Sequence, residues 1–329
     1  MAPSVLYMTF LEPYLKQKNP IPKVSLEGRT VLLEAAIHFG RRSPARLILA
    51  VRTIATGETA ADRIAEESGL PRDRIQVWQL DLSAFANVKA FGAKARRELN
   101  RLDVVCLNAA VAAVKFKQTA DGWEETLQVN DIATGLLAVE LLPLLLKTAE
   151  LPTPAGGDNL KPHLTIVASD IHYAAAFKER QAVPYKHSDY LAALNDKELF
   201  NGFDRYGVSK VLNVLLAREL AKLPQVQSKV VVNSVNPGLT KSSLRREMPW
   251  FFEWLFNLLG RDTAGAATNY AYAGLAETEG GAFVSRCAVQ EPSDFVLSQE
   301  GKEVSKKVFE EMIEVWRKED PDATAAIFK

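Results

Sequence analysis

Two cysteines among 329 residues cannot build a disulfide scaffold. Cys106 and Cys287 each lie in an apolar, strand-like run, where a thiol behaves as a small hydrophobe, so both are read as buried core residues. Nothing points to a secreted, disulfide-bonded protein. An excess of either charge is also missing, since 40 Lys+Arg face 40 Asp+Glu. No nucleic-acid partner is expected, because that would ordinarily leave a basic surplus. The four histidines show no metal-ligand spacing, and His172 and His187 are read as surface or structural residues. Long apolar runs are lacking as well. Leu136–Leu146 is interrupted by Glu140 and Pro143, and Trp250–Leu259 by Glu253, whereas a membrane span needs about 20 apolar residues. The apolar start, Val5–Leu11, has no basic stretch before it and runs into Glu12-Pro13, unlike a signal peptide. These absences predict a cytoplasmic protein without a transmembrane segment.

What is present is an alternation of short β-branched runs with longer helical patterns. Strands are expected at Thr30–Leu33, Arg46–Val51, Arg74–Leu80, Asp103–Asn108, His163–Ser169, Lys229–Val235 and Ala282–Val289. Helices are expected at Thr56–Ser68, Ala84–Leu99, Trp123–Lys147, Tyr206–Leu223, Thr263–Ala276 and Glu303–Lys318. Such alternation predicts an α/β, Rossmann-like, doubly wound fold, with a mostly parallel seven-stranded sheet and helices on both faces. No repeat or composition shift divides the chain. A single domain is expected, with an N-terminal extension (1–23), a core (24–289) and a C-terminal helical segment (290–329).

The chemistry centres on Tyr206-Gly207-Val208-Ser209-Lys210. Residues i and i+4 share a helix face, so the phenol and the ammonium point the same way. A cation beside a phenol favours the phenolate, and a tuned phenol can exchange a proton with a carbonyl or alcohol oxygen. The spacing alone is weak evidence, and by itself it describes an ordinary amphipathic helix. It recurs at Tyr14 and Lys18, in a Pro-flanked segment with no strand before it. Around the second copy stand polar residues at strand ends or on adjoining helices: Asp81, Asn108, Asn130, Ser169, and Asn236-Pro237-Gly238 with Thr240 beyond. Ligands of open α/β sheets bind outside the carboxyl ends of the strands.

This ordered set resembles the short-chain dehydrogenase/reductase family over roughly Val24 to Val289, and within it a retinol-dehydrogenase-like branch common in filamentous fungi. The resemblance implies that Tyr206 is the general acid/base. Lys210 would lower its pKa and hold the nicotinamide ribose, Ser169 would bind the substrate oxygen, and Asn130 would anchor a relay water. Asp81 would contact adenine, Asn108 to Ala110 would follow the adenosine ribose, and Pro237, Gly238 and Thr240 would meet the nicotinamide. Arg52 follows the second strand where NAD binders place an acid; an arginine suits a 2′-phosphate, so NADP(H) is favoured. Its other reading is a solvated surface arginine. The function implied is an NADP(H)-dependent carbonyl/alcohol oxidoreductase acting in secondary metabolism. Five aromatics between Pro249 and Phe256, where the family has a substrate flap, suggest an apolar small-molecule substrate; a buried core helix, a membrane-surface patch and an oligomer contact are the competing readings. By the same resemblance, the long helices would form a homodimer.

Two departures stand out. The family's N-N-A-G stretch reads Leu107-Asn108-Ala109-Ala110 here. More seriously, the family's T-G-x-x-x-G-x-G turn is missing: the chain runs Val31-Leu32-Leu33-Glu34-Ala35-Ala36, as if cut at Leu32/Leu33. Those glycines let backbone N–H groups approach the pyrophosphate. Without them, some of the first strand or its helix has to unwind to make the turn. A second function is therefore weighed, a noncatalytic relative that has lost dinucleotide binding.

Overall fold

Successive residues of a strand point to opposite faces, and here both faces are buried. In the first strand, Val31 and Leu33 pack into one core and Leu32 into the other. The second repeats this, with Leu47 and Leu49 on one side and Ile48 and Ala50 on the other. Strands apolar on both faces belong to a parallel sheet covered by helices on both sides. The computed structural model, which describes residues 19–33, 37–183, 185–238 and 263–328, has that architecture.

Its strands are β1 (Thr30–Leu33), β2 (Arg46–Val51), β3 (Ile75–Gln79), β4 (Val104–Leu107), β5 (His163–Val167), β6 (Val231–Val235), β7 (Ala282–Ser285) and β8 (Ala288–Gln290). Among the described residues they form one sheet in the order β3-β2-β1-β4-β5-β6-β7-β8. Every neighbouring pair is parallel except β7 and β8. The last expected strand thus splits into a hairpin, giving eight strands in place of seven. Its two-residue turn has Arg286 and Cys287 at φ 54 each. Positive φ at both central residues is what a type I′ turn requires, yet neither residue is the usual Gly or Asn, so the turn leaves no mark in the sequence. Cys287 is buried as expected, but in this turn and not in a strand.

The main helices are α1 (Ile37–Gly40), α2 (Ile54–Ser68), α3 (Phe85–Glu98), α4 (Ala133–Ala149), α5 (Gly202–Ala221), α6 (Thr263–Leu275), α7 (Gln299–Glu319) and α8 (Pro321–Ile327). Helices α3, α4, α5 and α7 cover one face of the sheet, and α1, α2 and α6 the other. β1 keeps its full pairing with β2 and its contact with β4, while α1 has four residues. β1 is also anchored at its start, where the buried Asp103 carboxylate accepts from the Arg29 guanidinium and from Thr30 N–H, both at 2.9 Å. Glu34, Ala35 and Ala36 lie outside the described residues.

The apolar run at Leu136–Leu146 belongs to the long helix expected at Trp123–Lys147. Glu125–Ala149 is helical over 25 residues, with a mean hydropathy of 1.7 in its most apolar window. Length and composition alone would let it cross a membrane, but 89% of that window is buried inside the chain. It is a core helix, sandwiched between the sheet and the C-terminal helices. The Trp316 indole of α7 donates to the Ile132 carbonyl at 2.9 Å. Its ring lies where a Cβ on Gly135 would come within 2.3 Å of it. Ser305 of α7 donates to Glu219 of α5 at 2.6 Å.

Candidate active site

Helix α5 begins four residues before Tyr206. Asn201 caps it, its side-chain oxygen accepting from Phe203 N–H at 3.1 Å, a signal present in the sequence. Tyr206 therefore sits in the second turn, where the helix is already regular, and Lys210 lies one turn on, buried. The Lys210 ammonium donates to the Val167 carbonyl and to Asn213 Oδ1, both at 2.9 Å. It lies 5.4 Å from the centre of the Tyr206 ring. Val167 is the last residue of β5, so this bond ties the helix to the strand end that carries Ser169.

Ser169 stands just beyond β5 and caps the 3₁₀ turn Asp170–Tyr173, its hydroxyl oxygen accepting from Ile171 N–H at 3.3 Å. That turn runs against α5 at Gly207. A Cβ there would lie 3.6 Å from the Ile171 carbonyl and 3.3 Å from Ala175 Cβ. Tyr206, Lys210 and Ser169 are thus brought to one end of the sheet by three different contacts.

Asn130 joins them from α4's leading segment. It lies in a π-helical turn, Gln128–Ile132, a kind of bulge frequent at functional sites. Its side chain pairs with both backbone groups of Val111, accepting from N–H at 2.8 Å and donating to the carbonyl at 2.9 Å. The same Nδ2 donates to Ser209 Oγ at 2.9 Å, and Ser209 in turn donates to the Tyr206 carbonyl at 2.8 Å. Asn130 therefore clamps the turn that carries Tyr206. Its own carbonyl accepts from Asn213 Nδ2 at 2.7 Å, so it connects to Lys210 through that amide.

Several residues that the sequence reading passed over hold this site. Arg205, buried beside Tyr206, donates to Glu179 at 2.9 Å and lies 3.8 Å from Glu124. Burial raises the Glu179 carboxyl above its usual range, with Arg205 opposing. Glu124 accepts from Thr126 and Leu127 N–H at 2.9 Å each, capping the helix that leads to Asn130. Asp131, fully buried, accepts from Asn213 Nδ2 at 3.1 Å. Burial drives its carboxyl well above the usual range, against the pull of Lys210 and Arg205. His172 is a buried structural residue. Its Nδ1 meets the Ser169 carbonyl at 2.7 Å and its Nε2 accepts from Ser293 N–H at 3.1 Å, which fixes the tautomer. Burial lowers its pKa to about 4. His187 pairs with Asp196 at 2.9 Å, away from this network.

The remaining positions spread along the same sheet edge. Asn236, after β6, accepts from Asp170 N–H at 3.3 Å and from Gly238 N–H at 3.0 Å, linking the β6 and β5 ends. Pro237 follows it, its carbonyl 3.5 Å from Asn269 Nδ2. Asn108, one residue beyond β4, accepts from the Tyr270 hydroxyl at 2.8 Å. A cavity of about 10 Å³, room for one water, opens there among Leu32, Ala50, Leu80, Leu82, Asn108 and Ala109. Asp81 lies past β3, accepting from Ser83 N–H at 2.9 Å and from the Ser83 hydroxyl at 2.7 Å. Arg52 is exposed after β2, its carbonyl accepting from Gln79 Nε2 at 3.3 Å. Asp81 and Arg52 are separated from Tyr206 by β1 and β4 and touch none of the Tyr206 group. Thr240 and the aromatic segment Pro249–Phe256 lie outside the described residues, as do Tyr14 and Lys18.

Comparison with known proteins bears on the family and the fold. Residues 34–150 match the short chain dehydrogenase family. The short chain dehydrogenase/reductase dmxR8 of Cryptosporiopsis sp. is 32% identical over 320 residues, covering 93% of this chain and 96% of that one. The short chain dehydrogenase sol3 of Alternaria solani is 39% identical over 242 residues, 70% of this chain and 79% of the relative. Among solved structures, an uncharacterised Mycobacterium paratuberculosis protein superposes with a TM-score of 0.62 at 18% identity, covering 94% of this chain and 98% of that one. A proposed short chain dehydrogenase of Shigella flexneri 2a, complexed with NADP, gives 0.55 at 22% identity, covering 78% and 96%. With a fungal relative similar from end to end and a fold to match, the chain belongs to the short-chain dehydrogenase/reductase family.

Proposed function

We propose that the chain interconverts a carbonyl and an alcohol on an apolar small molecule, with Tyr206 as the acid/base and NADP(H) as the hydride carrier. The observation that carries this reading is the Lys210 ammonium, held by the Val167 carbonyl 5.4 Å from the Tyr206 ring, two residues before Ser169. Its charge favours the anionic form of the phenol. In the reducing direction Tyr206 gives its proton to the substrate oxygen while the Ser169 hydroxyl donates a hydrogen bond to the same atom. Two fixed donors then face the charge that develops there. Ile171 and Phe203, 39% and 77% exposed, flank Ser169 and Tyr206 and give the entrance an apolar rim. By the same reading, the reaction belongs to secondary metabolism.

The residues fit the cofactor unevenly. At the nicotinamide end, Lys210 and Tyr206 would hold the ribose, and Pro237 and Gly238 would border the ring. At the other end, Asn108 and Asp81 would border the adenosine and the exposed Arg52 would meet a 2′-phosphate, while the cavity beside Asn108, with room for one water, is too small for adenine. When bound, the cofactor supplies or accepts the hydride. Between these ends the pyrophosphate cradle is not matched. Leu33 to Phe39 contains no glycine and includes Glu34, and a four-residue α1 offers little helix dipole. That single feature favours the second reading, a noncatalytic relative without dinucleotide binding. Titration with NADPH, followed by nicotinamide fluorescence, separates the two. Saturable micromolar binding rules out the noncatalytic reading, and silence at millimolar cofactor rules out the enzyme. If binding is seen, Tyr206→Phe should lower kcat by about 10²–10⁴-fold with folding intact, the usual worth of a general acid/base. An unchanged kcat would remove Tyr206 from the role.

A further inference from the structure

Behind Lys210, on the side away from Tyr206, lies a buried polar chain that the acid/base mechanism does not use. Asn213 is at its centre. The amide oxygen accepts from Lys210 at 2.9 Å, and the amide nitrogen donates to the Asn130 carbonyl at 2.7 Å and to Asp131 Oδ1 at 3.1 Å. Lys210, Asn213, Asn130 and Asp131 are all buried, at 2%, 1%, 1% and 0% exposure. Asp131 Oδ2 is buried with no hydrogen-bond partner. A carboxyl in a buried catalytic network, with one oxygen engaged and the other not, calls for an explanation, because unpartnered buried polar atoms are costly.

The geometry explains it by what an amide can do. A primary amide has a donor end and an acceptor end, and the two are nearly the same shape. If Asn213 turned over, its oxygen would face the Asn130 carbonyl and Asp131, and its nitrogen would face an ammonium. Two acceptors on one side therefore decide which end meets Lys210. The Asn130 carbonyl is one, and Asp131 is the other. We propose that Asp131 is a positioning residue for the acid/base pair: by taking one Nδ2 hydrogen of Asn213, it fixes the amide that holds Lys210 beneath Tyr206. The charged groups facing Asp131 are Lys210, Arg205 and Glu124. This role rests on the oxidoreductase reading for its purpose but not for its test.

The test uses the full chain without cofactor. The ultraviolet difference between the protein and its Tyr206→Phe form, followed against pH, isolates one phenol among eight tyrosines. Asp131→Leu and Asn213→Leu remove the two links and should each move the Tyr206 midpoint up by about 0.5–1 pH unit, a roughly 3–10-fold loss of phenolate at fixed pH. Asp131→Asn keeps an acceptor oxygen at the same place and should move the midpoint clearly less than Asp131→Leu does. Should a leucine variant not fold, Asp131→Ala and Asn213→Ser carry the same expectation. The inference is overturned if folded link-breaking variants titrate like the parent, or if Asp131→Asn moves the midpoint as far as Asp131→Leu. Failure to bind NADPH with these shifts intact would instead sink the oxidoreductase reading and leave the positioning role standing.

Discussion

Arg205 is buried at 1% exposure between Glu124 and Glu179, immediately before the proposed acid/base residue. A buried ion cluster adds little net stability as a whole, but removing one member leaves the others uncompensated. Arg205→Ala should therefore cost about 3–5 kcal/mol in urea unfolding, far more than an exposed arginine would. His172 makes a different demand. Its folded pKa near 4 lies below the usual value, so as pH falls the unfolded chain takes up the proton first. Stability contributed by neutral His172 is full above about pH 6.5 and is lost between about 6.5 and 4. Between pH 7 and 5 the parent should lose about 2 kcal/mol more than His172→Asn, as measured by urea unfolding at both pH values. Equal losses would show that this imidazole is already charged in the folded state.

At the scale of elements, the α3–α4 contact and the β1–α1 turn carry the clearest consequences. Gly92 of α3 leaves room for the Glu140 side chain of α4; a Cβ there would come within 2.2 Å of its oxygen. Glu140 is fully buried, and Arg96 bonds it from α3. Burial, together with the neighbouring Asp320, raises its pKa to about 7 although Arg96 opposes. A carboxyl with a raised folded pKa holds its proton longer in the folded state. It therefore lowers stability as pH climbs from its usual range toward 7. Glu140→Gln should flatten that decline in melting temperature between pH 5 and 8, and a parallel curve would contradict the assignment. In the proposed function, the β1–α1 turn would face the cofactor's pyrophosphate. Inserting a glycine-bearing turn between Leu32 and Leu33 should tighten NADPH binding at least about tenfold, equivalent to about 1.4 kcal/mol. No gain would mean that the cradle is not what limits binding.

For the whole molecule, the sheet brings together the ends of strands far apart in the chain, and the C-terminal helices close over the face that carries the site's supports. Trp316 couples the two, with its ring over Gly135 and its N–H on the Ile132 carbonyl, at the end of the π-helical turn that holds Asn130. Trp316→Ala should destabilise the fold by about 3–5 kcal/mol. It should also disturb Asn130, weakening NADPH binding in the variant that remains folded. A variant that loses stability with cofactor binding unchanged would separate the C-terminal helices from the site.

The alternation of apolar runs with helical patterns was enough to read the doubly wound sheet, because strands buried on both faces must be apolar throughout. The Tyr206/Lys210 spacing and the polar strand ends were legible too, because helix period and strand termini place side chains without reference to distant segments. The β7–β8 turn was not, since Arg286 and Cys287 adopt positive φ without the residues that usually announce it. Nor were Asn213, Asp131 and Arg205, whose partners lie up to 83 residues away. Local chemistry could name the candidate groups. Only the packing of β5, α4 and α5 against one another could decide what holds them, because a buried hydrogen bond exists only once both of its ends have been brought out of water.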